Sequence, residues 1–538
     1  MPSSGVPPPA LAGDRARRAP DTRPDAGMTL ATPILRSLLA YVLCLPLAIV
    51  MGYALATPLN YGNLGVFLMV TTLLSIPIVL RWHHLLLLAA WNSTALVFLL
   101  PGHPSLWLVL AVVSLVMSLT RRAVTRSLRL LSVPSLTWPL CFIVFVVLLT
   151  AKLTGGFGFR SLGSSELVGG KRYVILVAAV VGYFAISVAA IPKDRSRLAA
   201  TLYFAGGITA IVGSLIFFID PSLRFIYLFF PTDTGYTDEA KPLMTRFYGV
   251  SVASQYGVML LLVRYGLRGL LLEGKWWRTA LFVGCLVMGL FGGFRTVLVT
   301  FAVLLLIQFI LEGLFQTKLI IGVGFLIIIG GVVLAALAPH LPQQVQRCLT
   351  FLPVNLDPVV RLDAEFSTQW RLDMWREVVP EIPKYLLLGR GFAIEVTDLQ
   401  FMGAKVQQGM AHNYAQSIIT GDFHSGPLSI LLPFGIWGIL GFGWLCWVGV
   451  RALHRNFIYS PPELKLINTV LFSTFVTELI VFVFVFGSFQ TQFPLFTGIL
   501  GLSVAMNGGV RSSVPAPEEP EEPQPLQIFR LPKPLGGS

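Results

Sequence analysis

The chain has 538 residues, of which 55% are hydrophobic and 12% charged, and its formal net charge is +13. A soluble domain carries about 25% charged residues, so this composition excludes a soluble globular protein and indicates an integral membrane protein. Most basic residues lie in short loops between apolar runs, as the positive-inside rule predicts, so the charge does not indicate a nucleic-acid partner.

Long apolar runs without charge recur along the chain, for example over residues 173–191 and 320–338. Each exceeds the roughly 18 apolar residues that mark a membrane-spanning helix. Only helices and closed barrels satisfy their backbone groups in lipid, and barrel strands alternate apolar with polar residues. The predicted fold class is therefore all-α, a polytopic bundle of about fourteen transmembrane helices. The predicted spans are residues 34–57, 61–80, 84–101, 105–120, 132–152, 173–192, 198–219, 248–264, 278–293, 295–312, 318–338, 428–450, 464–486 and 494–509.

These spans divide the chain into five segments. Residues 1–30 and 511–538 are rich in proline and charged residues and are predicted to be disordered tails. Residues 31–338 and 428–510 form the first and last parts of the transmembrane bundle. Residues 339–427 form a large loop domain between them, and this loop needs its own helical fold because structureless loops beyond about 15 residues are unusual.

The orientation of the bundle follows from the basic residues in the short loops. An alternating path through the spans puts most of these residues on one side, which is therefore cytoplasmic, with both termini inside. The residues on this side are Arg81, Arg121, Arg122, Arg126, Arg129, Lys193, Arg195, Arg197, Arg264, Arg268, Lys275, Arg278, Lys318, Arg451, Arg455 and Arg511. Lys171, Arg172 and Arg224 fall on the outer side, together with the large loop.

Part of the large loop is predicted to be an amphipathic helix over residues 367–379, capped by Ser367 or Thr368 and ended near Pro380. Its apolar side is suited to the membrane interface and consists of Trp370, Met374 and Trp375.

Two arginines at outer helix ends are candidates for binding an anion. Arg295 follows Gly292, Gly293 and Phe294 at the start of the tenth span, and Arg246 precedes the eighth span. An arginine at such a place also serves simply as an anchor to the headgroups. A guanidinium group, however, makes bidentate bonds to phosphate, and the two glycines would let a phosphate approach the backbone.

Arg371 and Arg376 lie on the predicted loop helix and have two interpretations. Either one could contact an anion, or it could be a solvated charge paired with Asp373 or Glu377. We favour the second interpretation for Arg376.

Two histidines, His412 and His424, precede the twelfth span on the outer side. A lone histidine in a loop is often an ordinary surface residue. Histidine is also the common general base near neutral pH, and Asp422 is close enough in sequence to orient a neighbouring imidazole. The five cysteines show no metal-ligand spacing, so the residues predict no metal site.

Four short segments occur in a recognisable order from the eighth span onward. They are Arg246 with Gly249, then Gly293-Phe294-Arg295-Thr296, then residues 367–391 ending in Leu388-Gly389-Arg390-Gly391, then residues 424–438 ending in Phe434-Gly435-Ile436-Trp437-Gly438. In this order the chain resembles the O-antigen ligase/polymerase family of bacterial envelope glycan enzymes, although Phe294 stands where the family usually has serine.

The resemblance implies a glycosyltransferase of the bacterial inner membrane with an outer-facing, periplasmic site. Its donor would be a glycan on undecaprenyl diphosphate, and its acceptor another lipid-linked glycan (polymerase) or lipid A-core (ligase). No metal or cofactor is expected, and other polysaccharide assembly proteins are further candidate partners. We expect the diphosphate to be bound by Arg246, Arg295 and Arg371, and the base to be His424, with His412 second.

Two other classes of function remain open at this point. A polysaccharide flippase or other secondary transporter would usually carry charges near the bilayer midplane, where this chain has almost none apart from Glu478. A non-catalytic envelope assembly protein would use the large loop for binding alone. Between polymerase and ligase, the number of spans leans slightly towards polymerase.

Overall fold

The structure is a computed structural model that describes residues 42, 45–53, 61–98, 100, 102–124, 131–155, 170–232, 246–393, 417–418 and 421–512. Its helices include α1 (Tyr61–Ala90), α2 (Leu106–Val124), α3 (Pro134–Thr154), α4 (Gly170–Ser187), α5 (Ser196–Ala205), α6 (Ile211–Ile219), α7 (Tyr248–Leu271), α8 (Trp276–Phe291), α9 (Arg295–Leu311), α10 (Leu319–Leu337), α11 (Gln343–Cys348), α12 (Pro358–Val378), α13 (Ile382–Tyr385), α14 (Gly426–Ile458), α15 (Pro462–Phe484) and α16 (Phe489–Asn507). Short 3₁₀ helices cover Lys193–Arg195, Gly206–Ala210, Pro221–Leu228, Leu314–Gln316, Ala338–His340 and Val379–Glu381.

The predicted all-α membrane fold is confirmed. Within the described ranges there is no β-strand, only an isolated bridge between Leu96 and Ser105. Nine helices of the described chain are long and apolar enough to cross a membrane, and α8 and α9 are shorter apolar helices. The count of about fourteen spans stays a prediction.

The structure differs from the sequence prediction around the second and third spans. Residues 61–80 and 84–101 were predicted as separate helices, but α1 runs through the first and ends at Ala90, well before the predicted end of the second. The residues that follow are irregular. Asn92 Nδ2 donates to the Tyr203 carbonyl at 2.8 Å, so polar side chains here bond to another part of the bundle, and hydropathy alone does not report such bonds.

The chain divides into two units, Met1–Pro77 and Ile78–Ser538, and the site described below lies in the second. The predicted N-terminal tail, residues 1–30, lies outside the described residues. So do residues 513–538, which are nearly all of the predicted C-terminal tail.

The second unit is a bundle in which the last three long helices pack among earlier ones. α4 packs against α16 and α2, α14 packs against α3 and α15, and α9 packs against α15. Large aromatic side chains fill the centre, and the most buried of them include Tyr173, Tyr183, Phe475, Phe493 and Phe496. In lipid, such helix contacts are stabilised by close van der Waals packing.

One helix of the bundle is interrupted, and the interruption receives the end of the large loop. Gly435 inside α14 has φ +63°, a conformation that favours glycine, and Pro433 lacks a backbone N–H. The non-helical backbone at Gly435 leaves the Pro433 carbonyl free to accept from Gly391 N at 3.0 Å. The Leu386 carbonyl accepts a hydrogen bond from Ile436 N at 2.7 Å. Because of this break, backbone hydrogen bonds join residues 386–391 to the start of α14.

The loop helix α12 begins earlier than predicted. Its N-cap is Asp357, whose carboxylate accepts from Val359 N at 2.9 Å, and Pro358 is its first residue. Asp followed by Pro is a strong start signal, so the predicted caps at Ser367 or Thr368 were wrong. The predicted end near Pro380 agrees with the helix end at Val378.

The apolar side of α12 is covered by protein. Met374 is fully buried and clusters with Phe423 and Leu432. Trp375 Nε1 also donates to the Phe423 carbonyl at 2.8 Å. α12 is thus held against the start of α14.

Candidate functional site

A cavity of about 1040 Å³ opens where several helix ends meet. Near the arginines, its walls come from the first turns of α7, α9 and α16, one face of α12, the turn before α14, and the last two turns of α15. These are the helix ends that the sequence analysis assigned to the outer side. The charged lining residues and the lining histidine are Arg246, Arg295, Arg347, Asp363, Arg371, His424 and Glu478.

The structure brings four of the five predicted site residues to this cavity. Arg246 stands before α7, Arg295 opens α9, Arg371 lies on α12, and His424 precedes α14. His412, the second predicted base, lies outside the described residues.

A buried carboxylate joins two of the arginines on one wall of the cavity. Asp363 accepts from Arg246 Nη2 at 2.9 Å and from Arg347 Nε at 2.5 Å. Arg347 is almost fully buried, and its Nη1 also donates to the Gly293 carbonyl at 2.6 Å. This Arg–Asp–Arg group links the start of α7, the loop helices and the turn before α9.

The sequence analysis missed Arg347 and Asp363, but a signal for Asp363 existed. Asp363, Ser367, Trp370 and Arg371 all line the cavity and are spaced as one face of a helix. The prediction began this helix after Asp363 and therefore did not reveal that face. We find no comparable sequence signal for Arg347.

Arg295 is held by α12. Its Nη2 donates to Thr368 Oγ1 at 3.1 Å and to the Ala364 carbonyl at 3.4 Å. Gly292 has a different role from the predicted one, because a Cβ there would lie 1.6 Å from Ser251 Oγ. That glycine permits close packing against α7 and does not provide a backbone surface for a phosphate.

Arg371 faces the cavity, and its Nε is buried without a hydrogen-bond partner among the described residues. Burial, together with the positive charges of Arg295, Arg347 and Arg246, lowers the pKa of Arg371 to about 10, while Asp422 opposes them. The side chain therefore lies in a positive electrostatic field.

Arg376, on the same helix, is different. Its side chain is 70% exposed and pairs with Asp373 at 2.9 Å. This confirms the predicted solvated salt bridge. The contrast makes Arg376 a natural control for Arg371.

His424 and Asp422 form a pair at the mouth of α14. His424 Nδ1 lies 3.1 Å from Asp422 Oδ1. Burial raises the pKa of Asp422, but the hydrogen bond and charge of His424, with the charge of Arg172, outweigh burial and lower it. An ionised carboxylate only accepts hydrogen bonds, so Nδ1 carries the hydrogen and the lone pair of Nε2 is left to act as a base.

The backbone and neighbours of His424 also mark this position. Its φ is +51°, an uncommon value for a residue with a Cβ, and such strain clusters at functional sites. The rings of Trp370 and Phe486 lie 5.1 Å from the imidazole. They fix the orientation of the ring.

The charged groups around the cavity are unequal in number. Four arginines face two carboxylates, and the Asp363 carboxylate is already shared between Arg246 and Arg347. An excess of guanidinium groups in a partly dehydrated cavity attracts anions, and phosphate oxygens suit their geometry. Within the described part of the chain, no group of three or more His, Cys, Asp or Glu residues could hold a metal ion.

Comparison with known proteins agrees with the resemblance. No curated protein matches the chain. The family model described as O-antigen ligase matches residues 280–443, a segment that includes Arg295, Arg371, His424 and the missed pair Arg347 and Asp363. The match supports the predicted family: this segment is similar to the O-antigen ligase/polymerase family, whose role is in glycan assembly.

Proposed function

We propose that this protein is a glycosyltransferase that moves a glycan from undecaprenyl diphosphate to a sugar hydroxyl at the periplasmic face of the inner membrane. One observation carries the proposal. Arg246 and Arg371 face one cavity, each with a buried Nε that has no partner among the described residues, and a His–Asp pair lines the same cavity. Unsatisfied buried donors are costly, and these suit an anion beside a base.

The diphosphate is the natural anion for this position. A prenyl diphosphate keeps its tail in lipid and its phosphates at the interface, where outer helix ends lie. Arg246, Arg295 and Arg371 bind the phosphate oxygens, and Arg347 with Asp363 holds Arg246 in place. Positioned cations stabilise the charge that grows on the leaving diphosphate, which is where electrostatic catalysis has its largest effect.

His424 is the general base of the transfer. The acceptor hydroxyl oxygen attacks the anomeric carbon of the donor sugar, its proton passes to His424 Nε2, and the bond from that carbon to the diphosphate oxygen breaks. The prenyl diphosphate leaves with the electron pair of that bond. Asp422 stabilises the imidazolium that forms. His412 is the second candidate for this base.

The face of α12 that carries Trp370 and Arg371 covers the cavity. It limits the access of water, which would compete with the acceptor hydroxyl. The proposed chemistry needs no metal, because arginine side chains neutralise the diphosphate. We therefore expect the rate of glycan transfer to be unchanged when a metal chelator is added.

Deletion of the gene, followed by gel analysis of surface glycan, tests the function. A polymerase predicts a product with a single repeat, and a ligase predicts long chains left on the prenyl carrier. Complementation with Arg295→Ala or His424→Ala should fail to restore the glycan although the variants reach the membrane at normal levels. If both variants restore it fully, this function is wrong.

A further inference from the structure

The cavity continues below the arginines into the bundle. Along α7 its lining extends from Tyr248 to Met259, which is about 16 Å along a helix axis. On α15 it reaches Glu478, about 9 Å below the outer end of that helix. We call the upper part of the cavity, with Arg246, Arg295, Arg371 and His424, the rim, and the lower part, with Glu478, the floor. A diphosphate bound at the rim does not explain what the floor binds.

Glu478 is the unusual residue of the floor. Its residue exposure is 8%, and no basic side chain forms a salt bridge with it among the residues that the structure describes. Gln492 hydrogen-bonds the carboxyl group. Because the Gln492 Oε1 accepts from Ser488 N at 3.1 Å, its amide nitrogen is the end that faces Glu478. An acidic group at membrane depth is costly and is a functional-site candidate by default.

Another polar group that lines the cavity has an acceptor atom without a partner among the described residues. Gln490 Oε1 is buried without a hydrogen bond in the described part of the chain, and Gln490 lines the cavity together with Glu478. Both groups are acceptors. They therefore call for a ligand that donates hydrogen bonds.

This requirement separates the ligands that could enter. A phosphate offers mainly acceptor oxygens and would be repelled by an acidic side chain. A prenyl chain has no donors and would leave Gln490 Oε1 buried and unsatisfied. A sugar ring carries several hydroxyl donors and satisfies both groups.

The remaining lining also suits a sugar. The rings of Trp91 and Trp107 lie 5.0 Å apart at 55° and line the cavity with Tyr256. Aromatic faces pack against the C–H faces of pyranose rings, while a few placed polar groups fix orientation. The floor combines both elements.

We propose that the floor binds the monosaccharide attached directly to the donor diphosphate, with Glu478 and Gln490 accepting hydrogen bonds from its hydroxyl groups. The proposal rests on the proposed function, since the rim must hold the diphosphate of the same donor. Glu478 is then a residue that determines sugar specificity, and it binds substrate without taking part in bond breaking.

The test compares two probes on the purified full chain in lipid nanodiscs. One probe is bare undecaprenyl diphosphate, and the other is the native lipid-linked glycan extracted from cells that lack this protein. Affinities are followed by quenching of tryptophan fluorescence. The wild type should bind the glycan-linked lipid about tenfold more tightly or better, as hydrogen bonds to a charged group predict.

Two variants at the floor should lose this preference. Glu478→Leu should bind both probes equally, and the isosteric Glu478→Gln should keep part of the difference and its fold. Thr469→Val is the matched control on α15, because Thr469 is buried and, among the described residues, its hydroxyl bonds to the Lys465 carbonyl of its own helix. An undiminished preference for the glycan-linked probe in folded Glu478→Gln and Glu478→Leu would overturn the proposal.

Arg295→Ala separates this proposal from the function on which it rests. If the diphosphate binds at the rim, Arg295→Ala lowers the affinity for both probes by the same factor and keeps the preference for the glycan-linked lipid. Equal affinity of wild type and Arg295→Ala for the bare lipid would reject the diphosphate site. The loss of preference in Glu478→Leu would still support a sugar site.

Discussion

The rim and the floor of the cavity present opposite chemistries within one space. At the rim, Arg246, Arg295 and Arg371 outnumber the single carboxylate Asp363. At the floor, the acidic group is Glu478, and Gln490, Trp91 and Trp107 line the same cavity. The rim offers donors to an anion, and the floor offers acceptors to a neutral ligand.

This difference shows how one cavity can bind the two chemical parts of one substrate at two depths. A lipid-linked sugar has a diphosphate and a hydroxyl-rich ring joined by one bond, and that bond would lie between rim and floor. His424 stands at the rim, where the bond breaks. Variants at the rim should therefore affect the rate of transfer, and variants at the floor should affect recognition of the sugar.

The largest expected effect is that of His424→Ala. Removal of the base should lower kcat by about 10²–10⁴-fold, while the donor still binds through the arginines and the floor. Transfer is measured with purified protein and extracted lipid-linked glycan. His454→Ala, an exposed histidine at the far end of α14, should retain full activity. A normal kcat in His424→Ala would show that His424 is not the general base.

The second prediction concerns the structure of the rim. Asp363→Asn should lower the free energy of unfolding by about 3–5 kcal/mol, because it leaves the buried Arg347 without its charge partner. Asp373→Asn breaks an exposed pair with Arg376 and should cost less than about 1 kcal/mol. Thermal unfolding in detergent compares them. Equal stability of the two variants would mean that the rim is not held by its ion pairs.

The bundle and the rim differed in how far the sequence predicted them. Spans follow from hydropathy, a property of each segment alone, so the all-α membrane fold was predictable. Arg246 and Arg295 were found because their chemistry stands out at helix ends, and Arg371 was found through the resemblance. Arg347 and Asp363 meet only through tertiary packing, and the early start of α12 hid the face that joins Asp363 to Arg371.

Two further outcomes have similar causes. α1 ends at Ala90, and Asn92, two residues later, bonds to the distant Tyr203 carbonyl, a contact that no local pattern predicts. Glu478 stood out in the sequence as an acidic residue in a span, but the sequence did not show that Gln490 and two tryptophans line the same cavity.

The third prediction is a dependence on acid. The pKa of Asp422 is lowered in the folded protein, so its charged pairing contributes stability that is present above its ordinary pKa of 3.8. This contribution is lost as the pH falls through the lower folded value. The melting temperature of the wild type should therefore fall more than that of Asp422→Asn between about pH 5 and about pH 3. Parallel curves would show that the pair is not formed.

The smallest effect is expected for the bond that holds α12 against α14. Trp375→Phe removes the 2.8 Å hydrogen bond to the Phe423 carbonyl and should cost about 1 kcal/mol. Trp437→Phe, at an exposed position of α14, is the control. If Trp375→Phe is as stable as this control, another contact fixes the face of α12 that covers rim and floor.

The most direct measurement of the central claim is the affinity of bare undecaprenyl diphosphate for wild type, Arg371→Ala and Arg376→Ala. Both variants remove one arginine from the same helix, but only Arg371 faces the cavity. The account predicts that Arg371→Ala binds the lipid at least about tenfold more weakly, as loss of a charged hydrogen bond implies, and that Arg376→Ala binds it normally. Equal affinities for all three proteins would contradict a diphosphate site at the rim.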